Sequence, residues 1–286
     1  MSLSKTVLVV LRAHEQETIA LERGRLIAER LHCRLAVLVA GTQAELMERQ
    51  AWLESELAAF SAAGQDICIE ADADPDLADA VLRAQSRLQA GLVVKECDPR
   101  HSQLSWRAPA DWQLLRQCPC PVLLVKRDIR WQGGKVLAAI EGQPQSERHR
   151  LLNQGILQLA ALVTRSIDGQ LHLVSAFPPP LQGGNPDELT VQQLESQWRL
   201  ACIGQSASLA PTPAAMHIGE GPAEHWIPKI AGEDSYAVVV LGTVARSQFI
   251  GALLGNTAER ILDAIHSDVL VLQPDNGEAV LTLLEG

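Results

Sequence analysis

The chain has 286 residues, a length that suits two ordinary domains rather than one. Hydrophobic residues make up 47% and charged residues 20%, which excludes global disorder, and a net charge of -10 argues against nucleic-acid binding through a broad basic face. No run of about 18 apolar residues exists to span a membrane, and the short β-branched run near the N-terminus reads as a strand rather than a signal peptide, so a cytoplasmic location is expected.

In chain order, the first half carries strand-like runs at Thr6–Leu11, Arg34–Ala40, Asp66–Glu70, Leu92–Glu96 and Pro121–Lys126. Their near-continuous Val and Leu content suits strands buried on both faces of a parallel sheet. Between them, Ile19–Leu31 and Ala44–Phe60 show apolar residues at helical spacing. The acidic run Asp72, Asp74, Asp76 and Asp79 lacks the central Gly and terminal Glu of a calcium loop. It reads as a helix start, with Asp74 as the cap and Pro75 in the first turn.

The second half repeats this order with strands at Lys135–Glu141, Gln170–Phe177, Ala215–Gly221, Ala237–Gly242 and Asp268–Pro274. An internal duplication follows, with domains at 1–130 and 133–286 and a seam near Gly133 and Gly134. Each half is expected to be an α/β unit with an open, parallel, five-stranded sheet and helices on both faces. Ligands of such sheets bind beyond the strand carboxyl ends, where strand order reverses, which points to the ends of each first and fourth strand. The run AFPPPLQGGNPDEL after the second strand of the second half reads as a surface loop at that same end.

Chemistry-bearing motifs are sparse. The six cysteines are scattered, and the C-x-C pair Cys118 and Cys120 has no second pair to make a metal set. None of the eight histidines falls in an H-x-x-x-H or H-E-x-x-H pattern, and no G-x-S-x-G elbow, P-loop or dinucleotide fingerprint is present. His172 lies inside a strand, while His217 and His225 read as packing or surface residues. What remains is VVVLGTVARSQFIGALLGNTAERIL, a strand, a glycine-bearing loop and a helix start, a combination suited to anions.

With its duplicated strand order, CPCPVLLVK at the last strand of the first half and this glycine loop, the chain resembles a tandem universal stress protein over nearly its whole length. The loop is similar to the family pattern G-x2-G-x9-G-[ST], with Gly242 and Gly255 at the outer glycines, Ala245 in place of the middle one, and Asn256 then Thr257 at the Ser/Thr position. The resemblance implies ATP with magnesium as ligand. Its phosphates would lie along Gly242, Ala245, Gly255, Asn256 and Thr257. Glu141 stands where the family has an Asp on the nucleoside, and Leu173 maps onto the backbone contact to adenine. The first half has Arg12 after its first strand and no glycine in its counterpart loop, so no family-type nucleotide site is expected there. The resemblance also implies an internal pseudo-dimer of the two halves, a stress-response role exerted by binding and protein interaction, and at most slow ATP hydrolysis. Two other readings stand beside it. One is a regulatory module with degenerate loops, empty or holding a small apolar ligand. The other is a nucleotide-dependent enzyme, against which the lack of an H-x-G-H signature speaks.

Overall fold

The computed structural model describes residues 5–14, 19–97, 109–126, 129–179, 189–243, 256–277 and 280. The chain divides into two compact units, the second of them spanning residues 129–277.

In the first unit, strands β1 (Thr6–Arg12), β2 (Arg34–Ala40), β3 (Ile67–Asp72), β4 (Leu92–Glu96) and β5 (Val122–Val125) alternate with helices α1 (Ile19–Leu31), α2 (Gln43–Ala62), α3 (Leu77–Leu88) and α4 (Pro109–Gln117). The strands run in the order β3-β2-β1-β4-β5, every pairing parallel. Val7, Leu8, Val9, Leu35, Ala36, Val37, Val93 and Val94 are fully buried, as a sheet covered on both faces requires. Helix α1 lies so close to β1 that a Cβ on Gly24 would overlap Val9, so glycine sets their approach. The start of α3 departs from the sequence expectation. Its cap is Asp76, not Asp74, and the helix begins at Leu77. The Asp76 carboxylate accepts from the Ala78 and Asp79 N–H groups, which leaves Pro75 in the turn before the helix.

The second unit repeats the design with β6 (Lys135–Ala139), α5 (Glu147–Ser166), β7 (Gln170–Phe177), α6 (Val191–Ser206), β8 (Ala215–Glu220), α7 (Ala223–Glu233), β9 (Tyr236–Gly242), α8 (Asn256–Ala264) and β10 (Asp268–Leu272). Its order is β10-β9-β6-β7-β8, again all parallel. The chain steps outward from β6 to β8 and then crosses back to β9. Right-handed crossovers therefore put α5 and α6 on one face and α7 and α8 on the other. Gly133 (φ 73°) and Gly134 form a turn inside this unit, tied by Gly133 N–H to the Ile167 carbonyl. Trp131 donates its indole N–H at 2.8 Å to the fully buried Asp268, which gives that carboxylate a partner. Ser146 caps α5, and Thr190 with Gln193 forms a capping box on α6.

Candidate functional site

In both units the strand order reverses between the first and fourth strands, so the crevice at the carboxyl ends of β6 and β9 is where the second unit would take a ligand. Strand β6 stops at Ala139, and Ile140 N–H still bonds the Val174 carbonyl at 3.1 Å. Glu141 and Gly142 follow, and five side chains engage them. The buried Asn153 of α5 accepts from Glu141 N–H at 3.1 Å and donates to the Glu141 carbonyl at 2.7 Å. Gln205 of α6 accepts from Asn153 at 2.7 Å and donates to the carbonyls of Glu141 and Gly142 at 3.1 and 2.9 Å. These amides satisfy one another and the backbone of the turn.

The Glu141 carboxylate turns toward the first turn of α5, where His149 Nδ1 stands 2.7 Å away, both side chains half-exposed. Beside it, Ser175 of β7 is fully buried and its Oγ accepts from Gly142 N–H at 3.0 Å and from the Trp198 indole N–H at 3.1 Å. The indole lies directly on Gly142, where any Cβ would overlap it, and packs at 45° against Phe177 with centroids 6.1 Å apart. Cys202 adjoins this cluster, and burial pushes its thiol pKa up, so it is an inert packing group. Trp198 and Gln205 of α6 thus pack on the turn that follows β6.

Leu173, mapped from sequence to a strand end, is fully buried in mid-strand with Ala138 and Met216 as its neighbours in the ladder. Strand β7 runs on to Phe177, so its carboxyl end is Ser175–Phe177. Gly242 closes β9, and a Cβ there would come 2.5–2.8 Å from Leu152 of α5. Its lack of a side chain therefore serves helix-on-sheet packing. Thr243 N–H then bonds the Leu272 carbonyl at 2.8 Å. Ala245, Gly251 and Gly255 lie outside the described residues. Asn256 and Thr257 are the first two residues of α8, in the turn whose N–H groups have no intrahelical acceptors. Residues 180–188 of the proline-rich loop are also outside the described residues. A cavity of about 380 Å³ opens between α5 and α6, lined by Gly142, Pro144, Arg150, Gln154, Ala201 and Gln205 among others, on the helix side of the Gly142 turn. The sequence contained no sign of Trp198, Ser175, Asn153 and Gln205 as a cluster; each is an ordinary helix or strand residue until the elements pack.

In the first unit the equivalent position holds an ion pair. Lys95 of β4 lies 2.7 Å from Asp111 in the first turn of α4, both side chains 4% exposed, and also donates to the Glu96 carbonyl. The Glu96 carboxylate accepts the Ala20 N–H at the start of α1. A cavity of about 470 Å³ beyond β1 and β2 is lined by Arg12, His14, Thr42, Glu45, Asp74 and Gln113 among others. The counterpart loop at 98–108 is outside the described residues. Cys118 and Cys120 are both buried with their sulfurs 3.5 Å apart. Among the described residues no three His, Cys, Asp or Glu side chains form a metal set, and no helix is long and apolar enough to cross a membrane.

A model of the universal stress protein family matches residues 134–273. The chain is 30% identical over 242 residues to universal stress protein E of Photorhabdus laumondii, covering 81% of this chain and 76% of that protein. To universal stress protein E of Escherichia coli K12 it is 28% identical over 256 residues, covering 84% and 79%. Among solved structures, a putative universal stress protein from Pseudomonas aeruginosa UCBPP-PA14 aligns over 99% of this chain and 98% of its own, at 33% identity and a TM-score of 0.81. A universal stress protein from Archaeoglobus fulgidus shares the fold at 14% identity, with a TM-score of 0.61 over 93% of this chain and 96% of that one.

Proposed function

The chain belongs to the universal stress protein family, and we propose that it acts in the stress response as a binding protein without dedicated catalytic chemistry, its second-unit crevice closed at the nucleoside end. The observation that carries this reading is the Trp198 indole, seated on Gly142 and hydrogen-bonded to Ser175. Seating a tryptophan buries roughly 150–250 Å², about 4–6 kcal/mol at ~25 cal/mol/Å². A nucleoside entering in the family manner would first displace it. At about 1.4 kcal/mol per factor of ten, that costs roughly a thousandfold or more in affinity. Glu141 adds to the closure, since its carboxylate is engaged by His149.

A second reading keeps ATP with magnesium as ligand, the nucleoside against Glu141 and the backbone near Leu173, and the phosphates along Gly242, Ala245, Gly255, Asn256 and Thr257. The start of α8 at Asn256, directly behind Gly255, favours it, because first-turn N–H groups attract phosphate. Hydrolysis would be slow, as the family resemblance implies.

Calorimetric titration with ATP and magnesium separates the two. The closed reading expects no saturable binding by the unaltered chain at millimolar ATP, and binding gained by Trp198→Ala or the milder Trp198→Leu. Saturable binding by the unaltered chain that Gly255→Trp abolishes would overturn it and establish the open nucleotide site.

A further inference from the structure

At the end of the second sheet opposite the crevice, three polar side chains from three strands converge. His172 is the third residue of β7, His217 the third of β8 and Tyr236 the first of β9. Register places them on one face. His217 stands beside Val174, which shares the face of His172 two residues earlier. Tyr236 stands beside Lys135, and Lys135 beside Gln170, again on the His172 face. The Tyr236 ring reaches across β6, the strand between β9 and β7. Its hydroxyl lies 2.9 Å from His172 Nδ1 and 3.2 Å from His217 Nε2, and the two ring nitrogens are 3.5 Å apart.

With both imidazoles neutral, His217 Nε2 can donate to the Tyr236 hydroxyl and that hydroxyl to His172 Nδ1. The nitrogen-to-nitrogen approach of 3.5 Å needs no proton of its own. A cation at the centre of the three atoms would use all three lone pairs at once.

We propose that His172 Nδ1, His217 Nε2 and the Tyr236 oxygen form a binding site for a divalent transition-metal cation, Zn²⁺ or Cu²⁺. Atoms about 2.0–2.1 Å from a tetrahedral zinc stand about 3.3–3.4 Å from one another, so the observed 2.9–3.5 Å needs only small side-chain adjustments. Two imidazoles with one oxygen suit zinc or copper and not the oxygen-seeking calcium or magnesium. Burial holds both imidazoles below the usual histidine range, in the neutral form a metal requires. In the loaded site the ring protons sit on His172 Nε2 and His217 Nδ1. In the metal-free chain, burial and the nearby Asp234 and Glu233 charges push the Tyr236 pKa up. The charged groups facing the site are Lys135 and Arg199, which oppose a cation, and Asp234 and Glu233, which favour it. Lys135 and Asp234 are paired with each other. The half-buried His217 leaves solvent access for water as fourth ligand.

The test is a Co²⁺ titration of the full, chelator-treated chain, read by visible d–d absorption, followed by competition with Zn²⁺. One equivalent giving four-coordinate bands that Zn²⁺ displaces is expected. His217→Gln should weaken binding about tenfold or more, and His172→Gln with His217→Gln should abolish it. Tyr236→Phe should fall between. Absence of binding overturns the proposal, as do Co²⁺ bands unchanged in the double variant, or a thiolate charge-transfer band that marks cysteine ligation instead. Imidazole NMR signals of the unaltered chain test the same point without a substitution: shifts at His172 and His217 on adding Zn²⁺ support the site, and unmoved signals overturn it.

Discussion

Gly142 and Gly242 are both glycines at strand ends of the crevice, yet each lacks a side chain for the sake of a neighbour in the same unit. Gly142 makes room for the Trp198 indole and Gly242 for Leu152. Gly142→Ala should therefore destabilise the second unit by about 1–3 kcal/mol, as overpacking against a ring held on Ser175 does, measured by denaturant unfolding. Gly242→Ala should cost less, because Leu152 is flexible and can move aside. In the first unit, Lys95→Met should cost about 3–5 kcal/mol by stranding the buried Asp111, while adding Asp111→Leu should recover most of that loss. Equal losses for the single and double variants would refute the pairing. The glycine pattern was legible residue by residue in the sequence, but what each glycine makes room for was not, because the neighbours come from other elements.

Among the elements, the strands were the most legible. The runs Arg34–Ala40, Leu92–Glu96 and Gln170–Phe177 coincide with β2, β4 and β7, since strands buried on both faces are mostly apolar. Helix starts were less so. Four aspartates precede or open α3, and it is Asp76 (φ -89°, ψ 98°) whose carboxylate accepts from the first N–H groups of the helix. Asp76→Ala should lower stability by about 1 kcal/mol, and Asp74→Ala should not act through the cap. Asp72 takes part differently. It accepts the Asp74 N–H and pairs with Arg83, and these bonds hold its carboxyl below the usual carboxylate range. A depressed folded pKa means stability present above the unfolded value and lost as pH falls through the folded one. Asp72→Asn should thus narrow the stability difference between neutral and acidic solution, by a modest amount because the Arg83 partner is half-exposed. For the site itself, α6 is the decisive element, and its polar-looking sequence concealed that Trp198, Cys202 and Ser206 face inward.

On the scale of the whole chain, a bound ligand would appear as added stability. A nucleotide at a hundred times its Kd stabilises by about 2.7 kcal/mol. Millimolar ATP with magnesium should leave the unfolding temperature of the unaltered chain unchanged if the crevice is closed. A rise of several degrees would contradict that.

The duplicated order of strands and helices, the parallel sheets and the family were all readable from the amino-acid order, because periodicity and the succession of elements are local properties repeated along the chain. The state of the crevice was not readable. Gly142, Ser175 and Trp198 meet, as do His172, His217 and Tyr236, because separate elements lie side by side in one sheet and its helix layer. Such contacts arise from packing between segments far apart in sequence, and no pattern within any one segment records them.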